Sequence, residues 1–253
     1  MVDTAPLKAA NAKRWANAKV TRDVSAIAKR LVASKARYQA VEAKTGVPWF
    51  VIAVIHMRES SQNWGSSLAQ GDPINRVSTH VPRGRGPFPT WEAAAIDALV
   101  DCGPYLARNK DWSIGGTLAR LEEYNGLGYY RKGKPSPYVW AGTNQYTAGK
   151  YVADGVYDPN HVDTQPGCAG LILAMMAIDP SIKMGEALPV PAKPVSTGQK
   201  TAAGTGGAVV VAGTVAAGVH QGWPVSHWLI AAGIGLVVGA AIYLIVKSRK
   251  ASQ

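Results

Sequence analysis

Apolar side chains at Val20, Val24, Ile27, Leu31, Tyr38 and Val41 recur every three or four residues, with Ser34 the one break in the series. Arg22, Lys29, Lys35 and Lys44 fall mostly off that stripe, so the spacing predicts an amphipathic helical segment over roughly 5–45. Thr45-Gly-Val-Pro48 stops it, and Pro48 suits the opening of a next helix. That helix, Pro48 to about Ser60, is apolar on nearly every side and is expected at the centre of a domain. Residues 61–90 are rich in Gly, Pro, Asn and Ser and predict loops or a short hairpin, with turns at Gly71-Asp-Pro73 and Pro82-Arg-Gly-Arg-Gly-Pro87. Thr90 is placed to cap a helix from Trp91 to about Arg108, with Ala95, Ile96, Leu99 and Val100 facing inward. A further helix over Ile114 to Tyr124 ends at Asn125-Gly126. Residues 127–160 read as aromatic loops and 166–178 as a closing core helix. The body, 46–185, is therefore expected to be mainly α with a loop-rich surface.

Past Met184 the texture changes. Residues 186–207 are a Pro-, Ala- and Gly-containing linker without helical or strand period. In the tail, 208–253, Val225 to Val246 carries no charge and is followed by Lys247-Ser-Arg-Lys250, a pattern that predicts a membrane span of about 20 apolar residues. Trp223 and Trp228 suit an interfacial belt, and Gly235-x-x-x-Gly239 suits self-association within the bilayer. Thr201 to Val219 is a second, weaker candidate span. The tail is thus a single transmembrane helix or a hairpin; Lys193 and Lys200 favour the hairpin by the same rule as Lys247.

Charge sharpens this division. The net +11 is split into +7 over residues 1–44, −1 over 45–180 and +5 over 181–253. Basic flanks around a near-neutral body suit inner-membrane lipids and anionic envelope polymers. Nucleic acid ranks lower, since the basic residues are not interleaved with stacking aromatics. The N-terminus has no apolar signal-peptide core. Cys102 and Cys168 are the only cysteines, with no C-x-x-C spacing, and are expected as two buried free thiols. No residue cluster has metal-ligand spacing and no cofactor is expected.

The chemistry is concentrated at Glu59, the one carboxylate at the end of the apolar helix. Desolvation there should raise its pKa and leave it protonated near neutrality, as glycosidic-bond cleavage requires of a general acid. Two carboxylates serve a hydrolase, and the candidates for the second are Asp72, beside Asn75, Ser78 and Thr79, and Glu92 at a helix start, where an acid also complements the helix dipole. Asp72 is preferred, although Asp before Pro is also a common turn former. Ser60 is expected to orient the Glu59 carboxyl, Gln62 to line the site, and His56 to be a satisfied core histidine. Tyr124, Asn125, Gly126 and Tyr129 offer an apolar face and amide groups of the kind that hold sugars.

With Glu59-Ser60 and Tyr124-Asn125-Gly126 in place, the chain resembles the lysozyme superfamily on its goose-type lysozyme and lytic transglycosylase side. More closely, residues 47–178 are similar to phage and prophage lysozyme-family endolysins. The runs that carry the likeness are Ile55-His-Met-Arg-Glu-Ser60, Gly71-Asp-Pro73, Val81-Pro-Arg-Gly-Arg-Gly-Pro-Phe88, Glu123-Tyr-Asn-Gly-Leu-Gly128, Ser136-Pro-Tyr-Val-Trp-Ala-Gly-Thr-Asn144 and Lys150-Tyr-Val-Ala-Asp-Gly-Val-Tyr-Asp-Pro159. The resemblance implies a lysozyme-like helical fold with a cleft, peptidoglycan as partner, Glu59 as acid, and host lysis from the inner membrane against the periplasmic wall. The transglycosylase Gly-Leu-Met-Gln element is missing, which tilts the expectation to a hydrolytic muramidase. A lytic transglycosylase, a non-catalytic wall-binding protein and a chitin-directed enzyme remain the alternatives.

Overall fold

Nine consecutive buried residues, Trp49 to Met57, form the body of α4 (Trp49–Ser60) and explain why the rest of the chain wraps around it. A helix without a polar face must be covered on all sides, and α4 is packed by α2 (Ser25–Ala33), α3 (Lys35–Thr45), α6 (Ile114–Asn125) and α9 (Cys168–Ile178). Ile52 and Ile55 have no exposed surface; truncating either to Ala costs about 2–5 kcal/mol through lost burial and the cavity left behind. The computed structural model describes residues 3–69, 71–153 and 155–185. The linker and membrane tail expected over 186–253 lie outside these described residues.

The fold is mainly α. Around the four core-packed helices are α1 (Ala5–Ala16), α5 (Trp91–Val100), a single 3-10 turn at Leu106–Arg108, the one-turn helices α7 (Gly128–Arg131) and α8 (Pro137–Trp140), and a β1 (Lys150–Ala153), β2 (Val156–Asp158) hairpin. The hairpin is antiparallel, pairing Lys150 with Asp158 and Tyr151 with Tyr157. It replaces part of what the sequence reads as loop. No single helix among the described residues is long and apolar enough to cross a membrane.

The segment over 5–45 is three helices rather than one stripe. Residues 18–24 leave helical geometry because their backbone bonds to a distant turn: Thr21 N–H donates to Gly142 O at 2.9 Å and Asn144 N–H to Lys19 O at 3.0 Å. Ser34 marks the second break, its hydroxyl turning back onto Arg30 O at 3.1 Å. The inward stripe is nonetheless real: Val24, Leu31, Tyr38 and Val41 are buried in the same core as α4, while Val20 is exposed. Gly46 ends α3 in a left-handed conformation and Pro48 precedes the first residue of α4.

Thr90 caps α5, accepting from Ala93 N–H at 3.2 Å. The helix stops at Val100 rather than Arg108, because Gly103-Pro104 cannot continue it. Ala95 and Leu99 face the core as expected, whereas Ile96 and Val100 are only half-buried. The Ser113 hydroxyl accepts from Gly116 N–H and opens α6. Against α6 lies α1, so close that a Cβ on Gly115 would stand 2.5 Å from Lys8 O; no larger residue fits there. Cys102 and Cys168 are buried and unpaired.

Candidate functional site

The α4 helix runs buried until its last turn and then surfaces, which leaves Arg58, Glu59 and Ser60 half-buried. Ser61 and Gln62 follow with φ of 55° and 64°, so two non-glycine residues turn the chain sharply away from Glu59. Glu59 as a residue stays half-buried, while dense protein surrounds its carboxyl. Burial pushes the Glu59 carboxyl up to about 7, against smaller opposing pulls from the Tyr138 hydrogen bond and the Arg58 charge. Tyr138 donates to Glu59 Oε1 at 2.8 Å. Tyr124 and Cys168, both buried, complete the electrostatic surroundings of the acid.

Arg58 and Tyr138 are held by a second layer. The Arg58 guanidinium lies 4.7 Å from the Tyr138 ring centroid. Its Nη2 meets Asp163 Oδ2 at 3.2 Å, and its Nη1 donates to the carbonyls of Gln165 and Pro166. Lys150 Nζ reaches the other oxygen of Asp163 at 2.9 Å. Burial alone would raise the Asp163 carboxyl, but the charges of Arg58 and Lys150 hold it below the ordinary range. This makes a cation–anion–cation row, buried at Asp163 and Arg58 and partly exposed at Lys150, that fixes α4, the hairpin and the 163–167 segment against one another.

Asp72 is used differently from Glu59. Partial burial would raise it, but bonds from the His80 and Thr79 backbone N–H groups and from the His80 ring outweigh this and keep it ionised. Its carboxylate organises the 72–80 loop, as a turn-forming Asp would, and remains half-buried. Glu92 is bound to Arg37 at 2.7 Å, which holds its carboxyl low and ties α5 to α3.

Several expected contacts resolve otherwise. The Ser60 hydroxyl donates to His56 O at 3.2 Å, a helix back-bond, rather than to the Glu59 carboxyl. Gln62 turns toward α2 and α3, donating to Arg30 O at 3.3 Å and Ser34 Oγ at 3.2 Å. Tyr124 is buried, its hydroxyl donating to Leu68 O at 3.0 Å; it is a wall beside the acid and offers no free ring face. Tyr129 is likewise buried, accepting from Tyr151 N–H at 2.9 Å and packed edge-on to Tyr151 and Tyr157. Asn125 and Gly126 stay half-exposed. Gly126 ends α6 at φ 95°, a geometry that leaves little choice of residue. His56 is the expected core histidine: Nδ1 faces the Tyr38 hydroxyl and Nε2 faces Asn63 O, each at 3.0 Å, and burial depresses its pKa to about 4.

Arg58 and Asp163 are the site residues that sequence reasoning missed; Tyr138 belongs to the aromatic run read as a candidate sugar-binding surface, and its bond to Glu59 was not foreseen. Tyr138 lies in the aromatic run after Ser136-Pro137, but nothing local distinguishes it from Tyr129 or Tyr146. Asp163 stands 105 residues from Arg58 in the chain, and no spacing rule connects them. Among the described residues no group of three or more His, Cys, Asp or Glu converges as metal ligands. No protein family, curated protein or solved structure matches the chain.

Proposed function

We propose that this chain is a peptidoglycan muramidase of lysozyme-like helical architecture, cleaving the MurNAc–GlcNAc β-1,4 bond with Glu59 as general acid. The observation that carries the reading is a carboxyl raised to about 7 on a half-buried residue at the end of a buried helix. Such a group is about half protonated at neutral pH, enough to serve as a general acid from a dry wall. Because Tyr138 donates to Oε1, the acidic proton resides on Oε2 and is the one delivered to the glycosidic oxygen. The carboxylate left behind is then stabilised by the same hydroxyl and by the Arg58 charge. Asp72, held ionised, is the candidate base or electrostatic stabiliser, and Asn125 and Gly126 are the candidate sugar contacts. The inner membrane would hold the enzyme against the periplasmic wall during phage lysis, with the basic flanks on anionic envelope components.

One observation favours a second reading, a lytic transglycosylase. Arg58 is the charged neighbour acting on Glu59, whereas the Asp72 carboxylate is taken up by Thr79 and His80. A single acid suffices when the substrate's own hydroxyl attacks the anomeric carbon. Zymography on purified wall tests both readings: Glu59→Gln should lose clearing by more than about tenfold, a low bound for removing a general acid. Clearing that survives the substitution rejects both. Mass spectrometry of the fragments then separates them, reducing ends marking hydrolysis and anhydro ends marking transglycosylation.

A further inference from the structure

A groove opens at the corner of α2 and α3, where the chain leaves α4, and the acid chemistry above makes no use of it. Its volume is about 330 Å3, and its lining is Arg30, Ala33, Ser34, Ser61, Gln62 and Trp64. Every polar side chain in that lining can donate a hydrogen bond and none is a carboxylate. Arg30 is exposed and forms no ion pair among the described residues, while its neighbours Lys35 and Arg37 are neutralised by Asp179 and Glu92, each at 2.7 Å. The groove therefore presents an uncompensated guanidinium.

The rest of the lining is arranged around that charge. Gln62 spends its amide on bonds of 3.2 and 3.3 Å, near the long limit and readily exchanged for a better acceptor. Ser61 and Gln62 both hold left-handed backbone, and such sites are found where a segment is shaped for binding. Trp64 is a fixed wall, stacked on Tyr38 with ring centroids 5.4 Å apart and lying 3.8 Å from the Arg37 guanidinium. Donors without an acceptor charge, one of them a fork-shaped cation, match a carboxylate.

We propose that this groove binds a carboxylate of the peptide branches carried by the glycan strand, so that branch-bearing wall is selected over bare strands. The assignment rests on the muramidase reading, in which the strand bound at Glu59 carries such branches; Ser61 and Gln62 lie two and three residues along the chain from that acid.

The test titrates the full chain with a disaccharide–tetrapeptide wall fragment, the same disaccharide without peptide, and the free tetrapeptide with or without amidated carboxyls. The branch-bearing fragment should bind about tenfold tighter than the bare disaccharide, as one charge-assisted contact provides. Arg30→Gln should bring that ratio near one without moving the thermal midpoint, and Ala33→Trp, which fills the groove from an exposed position, should do the same. The free tetrapeptide should shift the Trp64 indole N–H resonance, and its amidated form should not. A ratio unaffected by Arg30→Gln, or equal shifts from the amidated peptide, overturns the proposal. Failure of the muramidase reading is recognised separately, as clearing that survives Glu59→Gln, and leaves an Arg30-dependent tetrapeptide shift standing.

Discussion

The Tyr138 hydroxyl donates to Glu59 Oε1 at 2.8 Å, joining α8 to the last turn of α4 across 79 residues of sequence. The bond favours the ionised carboxyl, while burial, the larger influence, opposes it. The two together leave the acid half-protonated near neutrality. Wall-clearing activity should therefore fall as pH rises through about 7. Tyr138→Phe removes the stabilising donor, so the acid should hold its proton more tightly and the alkaline limb of the pH–rate profile should move up by roughly one unit. A limb that stays in place or moves down would show that the contact does not act on the acid.

A second buried acid affects stability rather than chemistry. Glu122 is 1% exposed, and Asn11 approaches it without a bond of good geometry, leaving Glu122 Oε1 and Asn11 Nδ2 both unpartnered. Burial pushes the Glu122 carboxyl up to about 7 from an ordinary 4.5. The folded protein thus holds a proton that the unfolded chain has released, so stability is fully present below about 4.5 and is lost as pH rises to about 7. Glu122→Gln removes this dependence. Denaturant midpoints should show the variant gaining on the parent by about 2–3 kcal/mol between pH 5 and pH 8. A parallel pH profile for the two proteins would count against the buried, protonated state.

The Arg58–Asp163 pair has side chains 7% and 1% exposed, respectively, so its disruption should be costly. Arg58→Met leaves Asp163 with Lys150 alone and should destabilise by about 3 kcal/mol, the low end for breaking a buried pair because one cation remains. The double variant Arg58→Met with Asp163→Leu should recover part of that loss. Chemical denaturation of the two single variants and the double variant gives the coupling; strictly additive effects would mean the pair is not acting as a pair.

How far the sequence reached differs between fold and site. The central α4, the caps at Thr90 and Asn125-Gly126 and the closing helix α9 were legible because each is local: an apolar run, a hydroxyl before a helix, a glycine after one. The long N-terminal stripe was legible only in part. Its inward face was right, but the break at 18–24 is made by hydrogen bonds to residues 142–144, and no local pattern reports those. The end of α5 was overlooked despite Gly103-Pro104, a local signal outweighed by the apolar run before it.

The position of Glu59, alone at the end of an apolar helix, followed from the sequence, because burial of such a helix dictates the desolvation that raises a carboxyl. Its companions did not. Tyr124 and Tyr129 have the composition of sugar-binding tyrosines and are walls, whereas Tyr138, similar in sequence context, holds the acid. Which aromatic meets the carboxyl, and that Asp163 and Lys150 lock Arg58 beside it, depend on how α4, α8 and the hairpin are brought together. Chain periodicity sets which face of a helix is buried; only long-range packing sets which side chain it is buried against.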